Sequence, residues 1–171
     1  MSKLRTDQIA AITTAGIATL STDQVSKLTT DQLVALTTAQ AAALTTTAVA
    51  ALSTAQLAAV ETTDIAVLRT AQVAALNTAD VAALTTAQVA ALSTEQVVAL
   101  TTDQLPALNS RQLAGLTTAQ VAVLDTADLA KITTTELAGF KATQMAAMTT
   151  AQISNLTTDQ LVALSATQLA G

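Results

Sequence analysis

Histidine, cysteine, tryptophan and tyrosine are all missing from this chain of 171 residues, which has one phenylalanine, one proline and four glycines. Without cysteine the chain has no disulfides, thiolate nucleophiles or structural zinc sites of the usual kind. Without histidine it lacks the commonest general base and metal ligand. The composition therefore predicts a protein that is not an enzyme, with no catalytic, cofactor-binding or metal-binding residues.

Charge is also sparse, since 11% of the residues are charged and the formal net charge is −5. A nucleic-acid-binding surface needs clustered basic residues, so the scattered acids predict no nucleic-acid partner. Threonine and glutamine interrupt every apolar stretch, and no apolar run is long enough to cross a bilayer, so no membrane span is predicted. Met1–Lys3 leads directly into the repeats, and we expect no signal peptide there.

What the chain does contain is one eight-residue unit, seen most clearly in Leu84–Ala91, LTTAQVAA. The sequence divides into 21 such octads from Leu4 to Gly171 without insertion or deletion. We label the positions a to h. Position a is mostly leucine, c threonine, e glutamine, f valine, leucine or isoleucine, and g and h are small. The unbroken register predicts a single repeat domain over residues 1–171, cut from a longer array.

The octad does not suit any uninterrupted regular structure. In one continuous helix each octad would drift by about 80°, so the leucines would form no stripe, and neither coiled-coil period fits. In a strand, positions a and f would face opposite sides. A helix that restarts in every octad fits better, because Thr85 and Gln88 form a capping box and Leu84 and Val89 a hydrophobic staple. Thr86 at position c is the alternative cap, and we favour position b.

Helices this short are marginal alone and must stack on neighbouring repeats. The sequence therefore predicts an all-α polygonal solenoid with positions a and f pointing inward. Val34, Val98 and Val162 recur at position g every eight octads, and the identical octads Leu28–Ala35 and Leu156–Ala163 are sixteen octads apart. Both spacings are multiples of four, so they favour four octads per coil, with three and five as alternatives.

Few residues suggest chemistry. Two acid pairs stand at predicted helix starts, Glu61 with Asp64 and Asp125 with Asp128. They could form a weak cation site or paired carboxylates, but acids also suit helix N-termini through the helix dipole, and we favour that explanation. A nucleophilic serine would need a lysine base, and no motif surrounds the candidate lysines. Those lysines are Lys27, Lys131 and Lys141.

The threonine rows at positions b and c could present a flat ice-binding ladder or could serve only as helix caps. Charged residues interrupt the b row, which favours capping; they are Arg5, Glu61, Arg69, Asp125 and Lys141. Pro106 at position g removes a backbone donor and should distort or shorten its helix. Phe140, Met145 and Met148 occupy a and f positions and should repack the core locally.

Two resemblances follow from the octad itself. LTTDQLVAL (Leu28–Leu36) and LSTEQVVAL (Leu92–Leu100) resemble the opening of TAL-effector repeats, L-T-P-x-Q-V-V-A-I. The proline at position c, the second helix and the base-reading pair of those repeats are missing, so the resemblance does not imply DNA binding. The whole array resembles LTTxQVAA-like octapeptide tracts in large repetitive bacterial proteins of secreted or adhesin-like type. That resemblance implies a secreted or cell-surface location within a larger protein.

The function predicted from the sequence is a non-catalytic structural spacer, stalk or scaffold. Two binding functions are the alternatives: ice binding through the threonine ladders, and acidic mimicry of nucleic acid. Neither terminal repeat has a polar outer face, so we also expect end-to-end self-association through uncapped terminal coils.

Overall fold

The computed structural model describes residues 3–170, and all regular structure in that range is helical, without strands. The chain divides into two compact units, one ending at Leu84 and the other beginning at Thr85. The helices of the first unit are α1 Thr6–Ala10, α2 Thr14–Ala18, α3 Thr22–Ser26, α4 Thr30–Val34, α5 Thr38–Ala43, α6 Thr46–Ala50, α7 Thr54–Ala59, α8 Thr62–Ala66, α9 Thr70–Ala74 and α10 Thr78–Ala83.

The second unit continues the same order of one short helix per octad, with a single 3₁₀ turn. Its helices are α11 Thr86–Ala91, α12 Thr94–Val98, α13 Ser110–Leu113, α14 Thr118–Ala122, α15 Thr126–Lys131, α16 Thr134–Leu137, α17 Ala142–Ala146, α18 Thr150–Ser154, α19 Thr158–Ala163 and α20 Ala166–Leu169. The 3₁₀ turn, Leu105–Ala107, lies between α12 and α13. None of the helices among residues 3–170 is long and apolar enough to cross a bilayer.

Most helices start where the side chain of the residue at position b caps them. Thr85 has an extended backbone (φ −71°, ψ 157°), and its hydroxyl accepts a hydrogen bond from the Gln88 N–H at 3.2 Å. The Gln88 Oε1 accepts the Thr85 N–H in return at 2.8 Å, completing the capping box. The cap is therefore at position b, as we favoured, and Thr86 at position c is the first helical residue.

Helices that run to position h end there because position a returns to an extended conformation. Leu92 has φ −59° and ψ 139°, and its N–H bonds back to the Val89 carbonyl at 3.3 Å. The chain then passes directly into the next cap at Ser93. Two extended residues and six helical residues thus make up this octad.

Positions a and f form the core in most octads, as the pattern predicted. Leu84 is 4% exposed and Val89 fully buried. Phe140, Met145 and Met148 fill the same positions and are also buried. Because the interior contains almost no aromatic residues, these aliphatic side chains must meet across a narrow space to reach ordinary packing density.

Within each unit, every helix packs against a helix that lies three octads away along the chain. The contacting pairs of the first unit are α1 with α4, α2 with α5, α3 with α6, α4 with α7, α5 with α8, α6 with α9 and α7 with α10. In the second unit α14 packs against α17 and α15 against α18, and the remaining octads follow the same interval.

The expected interval of four octads is therefore wrong within each unit. Four helices of about 9 Å around one interior would enclose more space than leucine and valine side chains can fill, whereas three would let these side chains meet. The recurrences that suggested four octads fall eight and sixteen octads apart. Neither spacing is a multiple of three, so these recurrences do not reflect packing.

Pro106 distorts its octad, as predicted. Where other octads have an α-helix, this one has a short turn followed by the 3₁₀ segment Leu105–Ala107. Proline has no N–H to donate and its ring crowds the preceding turn. Leu105 at position f is nevertheless only 1% exposed, so the distorted octad still places this side chain in the core.

Candidate functional site: buried polar groups at position e

Glutamine at position e bonds to two octads at once. Gln120 is 2% exposed, and its Oε1 accepts the Thr117 N–H of its own octad at 2.7 Å. Its Nε2 donates to two backbone carbonyls 31 and 28 residues earlier in the chain, Val89 at 2.9 Å and Leu92 at 2.7 Å. We call these Nε2 interactions the cross-octad bonds. They join octads that are far apart in the sequence through buried backbone carbonyls, and the Val89 carbonyl also accepts the Leu92 N–H.

Cross-octad bonds recur throughout both units. In the first unit they are made by Gln32, Gln40, Gln56 and Gln72. In the second unit they are made by Gln120, Gln144, Gln152, Gln160 and Gln168. All nine side chains are buried.

Within one octad the capping box already accounts for this glutamine, so its second role was not predicted from the sequence. The missed signal is the preference for glutamine over glutamate. The capping box uses only the side-chain oxygen, so glutamate would serve equally well. Only glutamine adds an N–H donor, and the acceptors of that donor lie 28 and 31 residues earlier in the chain.

Asp64, the acid of the first predicted pair at this position, cannot form cross-octad bonds. It is 2% exposed, and its Oδ2 has no hydrogen-bond partner among the described residues. Glu61 stands at the cap position but makes no side-chain cap bond, and it is exposed. Burial raises the pKa of Asp64, and the nearby negative charge of Glu61 raises it further.

Asp128 repeats this situation in the second unit. It is 7% exposed, and its Oδ1 has no hydrogen-bond partner in the described part of the chain. Asp125 caps α15 by accepting the Ala127 N–H at 2.7 Å and remains exposed. Burial is the main cause that raises the pKa of Asp128; Asp125 also raises it, and Lys131 opposes the shift. Each acid pair thus places one buried and one exposed carboxylate together.

The other acids at position e behave as caps. Asp80 is buried, and its Oδ2 accepts the Asn77 N–H at 3.1 Å. Glu136 accepts the Thr133 N–H at 2.8 Å and is only partly buried. An acid at position e can therefore accept the capping hydrogen bond, as glutamine does. It has no side-chain N–H, so it cannot form the cross-octad bonds.

The lysines considered as bases lie at the surface or at a helix start. Lys27 pairs with Asp23 at 2.7 Å, and Lys131 lies 3.8 Å from the Asp103 carboxylate. Lys141 occupies the cap position of α17 without a side-chain cap bond. Among residues 3–170, no group of three or more His, Cys, Asp or Glu side chains is placed to hold a metal ion.

Five stretches of the chain match the pattern of the ALTTAQ repeat: residues 1–38, 57–94, 73–110, 97–134 and 121–158. Together they span well over half of the sequence. The chain belongs to the ALTTAQ repeat family. The six letters of the family name are Ala83–Gln88 here, which run from position h of one octad to the glutamine at position e of the next. No curated protein matches the chain.

In this ALTTAQ repeat chain the two threonine rows are not equivalent. Threonine and serine at position b are caps, as at Thr117 and Ser93. Threonine at position c is the first helical residue, and in most octads it is exposed. In the first unit position c is threonine in every octad, and one column of these threonines lies on the successively packed helices α1, α4, α7 and α10: Thr6, Thr30, Thr54 and Thr78.

Proposed function

We propose that this ALTTAQ repeat chain is a non-catalytic structural element, a spacer or scaffold built as a solenoid with three octads per coil. The observation that carries the proposal is the recurrence of one cross-octad bonding scheme in both units. In each case a glutamine at position e donates to the position a carbonyl 28 residues earlier. An array of this kind gains length by adding layers, without changing its cross-section.

Small-angle X-ray scattering on two internal deletions tests this proposal. One variant lacks Leu28–Ala51 and the other lacks Leu116–Gly139, and each deletion removes three whole octads. A solenoid loses one layer in either case, so the maximum dimension should fall by about 8–10 Å in both variants. Equal shortening with an unchanged cross-sectional radius is expected. Shrinkage in all dimensions, or unequal shortening by the two deletions, would contradict the solenoid.

Ice binding is the second candidate, and the exposed threonine column of the first unit favours it. A column of threonine hydroxyls and methyls is regular, and the capping role at position b leaves the c side chains exposed. Thermal hysteresis of the wild-type chain tests this function. Activity should be lost on replacing Thr30 and Thr54 by lysine and retained on replacing the exposed Ala55 by lysine. Absence of hysteresis in the wild type would exclude ice binding.

A further inference from the structure

The first three and the last three helices pack against other helices on one side only. Within the first unit α4 packs against both α1 and α7, whereas α1, α2 and α3 pack only against α4, α5 and α6 in turn. Within the second unit α18, α19 and α20 pack only against α15, α16 and α17 in turn. Among the described residues, the outer side of each of these two sets is therefore uncovered.

A groove of about 300 Å³ lies at the last three helices, and side chains at position f line it. We call Ile153, Leu161 and Leu169 the C-terminal face. Leu161 is 41% exposed and Leu169 is 65% exposed, whereas Leu129 and Leu137 at the same position are fully buried. The apolar surface that forms the core elsewhere thus continues to the outer side of these helices.

The first three helices present glutamines at position e and side chains at position a. We call the exposed Gln8 and Gln24 and the half-buried Leu4, Ile12 and Leu20 the N-terminal face. The Oε1 atoms of both glutamines accept the position b N–H of their own octads at 2.9 Å, as in the buried octads. No residue of this chain stands 28 or 31 positions before either glutamine. Each glutamine therefore has the donor of a cross-octad bond but no position a or f carbonyl in its own chain to receive it.

The matching acceptors lie at the C-terminal face. Gln168 donates to the Leu137 and Phe140 carbonyls, 31 and 28 residues earlier. It is the last glutamine at position e, so no glutamine of this chain stands 31 residues after Leu161 or 28 residues after Leu164. Both residues line the groove. The two faces therefore hold the two halves of one cross-octad bonding scheme.

We propose that the N-terminal face of one copy binds the C-terminal face of a second copy of this chain, head to tail. With the octad order continued from one copy into the next, Gln24 donates to the Leu161 and Leu164 carbonyls. Gln8 donates to the Met145 carbonyl, and Met145 also lines the groove. The inference rests on the proposed function, since the contact repeats between copies the bonding scheme of the scaffold.

The contact of these two faces buries little unpaired charge. The last three octads, residues 148–171, contain a single charged residue. In the octads of the N-terminal face, Arg5 pairs with Asp7 at 2.9 Å and Lys27 with Asp23 at 2.7 Å, and both pairs are exposed. Desolvation of charge, which would oppose an apolar contact, is therefore small.

Sedimentation velocity of the full chain from about 0.02 to 1 mM tests the proposal. The weight-average sedimentation coefficient should rise past that of a dimer, because a copy bound through one face keeps the other face for a further copy. Leu169→Lys places a charge in the groove and should weaken association by at least about tenfold. Val98→Lys is the matched control and should leave association unchanged, because Val98 is 64% exposed but belongs to neither face.

A double variant blocks the other face. Gln8→Glu with Gln24→Glu keeps the capping acceptors and removes both amide donors, so self-association should again weaken by about tenfold. An equimolar mixture of this double variant with Leu169→Lys retains one intact face of each kind. The mixture should form a dimer at wild-type affinity and stop there.

Four outcomes would each overturn the proposal: a wild-type monomer at every concentration, full association in either blocked variant, equal loss in Val98→Lys, or a mixture that forms no dimer. The two internal deletions measure the shortening of the single chain and do not depend on association. Failure of this inference is therefore distinguishable from failure of the proposed function.

Discussion

At position e, a single amide side chain satisfies backbone groups in two octads that are far apart in sequence. Gln56, for example, accepts the Ser53 N–H at 2.8 Å and donates to the Leu28 carbonyl at 2.7 Å. Each neutral bond of this kind contributes about 1 kcal/mol, but leaving a buried partner unpaired costs more. The chemical identity of this residue therefore matters more than its size or its helix propensity.

Gln120→Glu should lower the free energy of unfolding by about 2–3 kcal/mol, because it removes the donor and buries a carboxylate against two carbonyls. Urea unfolding at pH 7 measures the effect. Gln24→Glu is the matched control: Gln24 is exposed and forms the capping box with Ser21. Its substitution should change stability by less than about 0.5 kcal/mol. Equal losses in the two variants would contradict the importance of the cross-octad bonds.

The buried aspartates make stability depend on pH with an unusual sign. The pKa values of Asp64 and Asp128 are raised in the folded chain. The folded state therefore holds these protons more tightly than the unfolded state, and stability falls as pH rises through the folded pKa values. The double variant Asp64→Asn, Asp128→Asn should match the wild type near pH 3 and exceed its stability increasingly above about pH 4.

Asp7→Asn is the control of opposite sign for this measurement. Arg5 lowers the pKa of Asp7 through a hydrogen bond between their side chains. The stability that Asp7 contributes is present above its ordinary pKa and is lost as pH falls. Urea midpoints from pH 3 to 8 should therefore diverge from the wild type in opposite directions. A pH-independent difference for the double variant would show that the buried carboxylates do not titrate as inferred.

At the scale of the helix, α13 and α16 end early, and a glycine after each of them lies close to a neighbouring octad. Both α13 and α16 have four residues, and each is followed by an alanine and then a glycine at position h. A Cβ atom built on Gly139 would lie 2.8 Å from both the carbonyl carbon and the Cα of Ser110. Backbone atoms at this distance cannot move aside without shifting α13.

Gly139→Ala should destabilise the chain by about 1–3 kcal/mol, because the added methyl group forces α13 and α16 apart. Thermal and urea unfolding both report this change. Gly16→Ala is the comparison: a Cβ there meets a side-chain methyl of Ile12, and alanine also favours the helix. A stability change of under about 0.5 kcal/mol is expected for Gly16→Ala. Similar losses at both glycines would argue against close approach as the cause.

At the scale of the whole molecule, every described octad relies on its sequence neighbours and on the octads three away within its unit. Stability in such an array is approximately a sum of nearest-neighbour terms. Local damage should therefore stay local, which distinguishes a repeat array from a globular core in which all parts are in contact.

Hydrogen exchange on Gln120→Ala tests this locality. Amides in the helices that the lost bonds join, α11 and α14, should exchange about tenfold faster, because their local opening becomes easier by roughly 1.4 kcal/mol. Amides of α19 and α20 should keep their wild-type rates. Uniform acceleration through the second unit would instead indicate one cooperative core.

The octad sequence by itself determined the local structure, because caps, staples and one-turn helices depend on residues within a single octad. Residues such as Thr85, Gln88 and Val89 specify the extended segment and the helix of their own octad. The tertiary structure decided which octads pack together, since all octads present nearly the same surface and no local signal distinguishes a packing interval of three octads from one of four. It also decided that the glutamine at position e forms cross-octad bonds, and that Asp64 and Asp128 each have a buried oxygen without a hydrogen-bond partner. Those properties depend on carbonyls 28 and 31 residues away, and their position follows only from the way the aliphatic core closes.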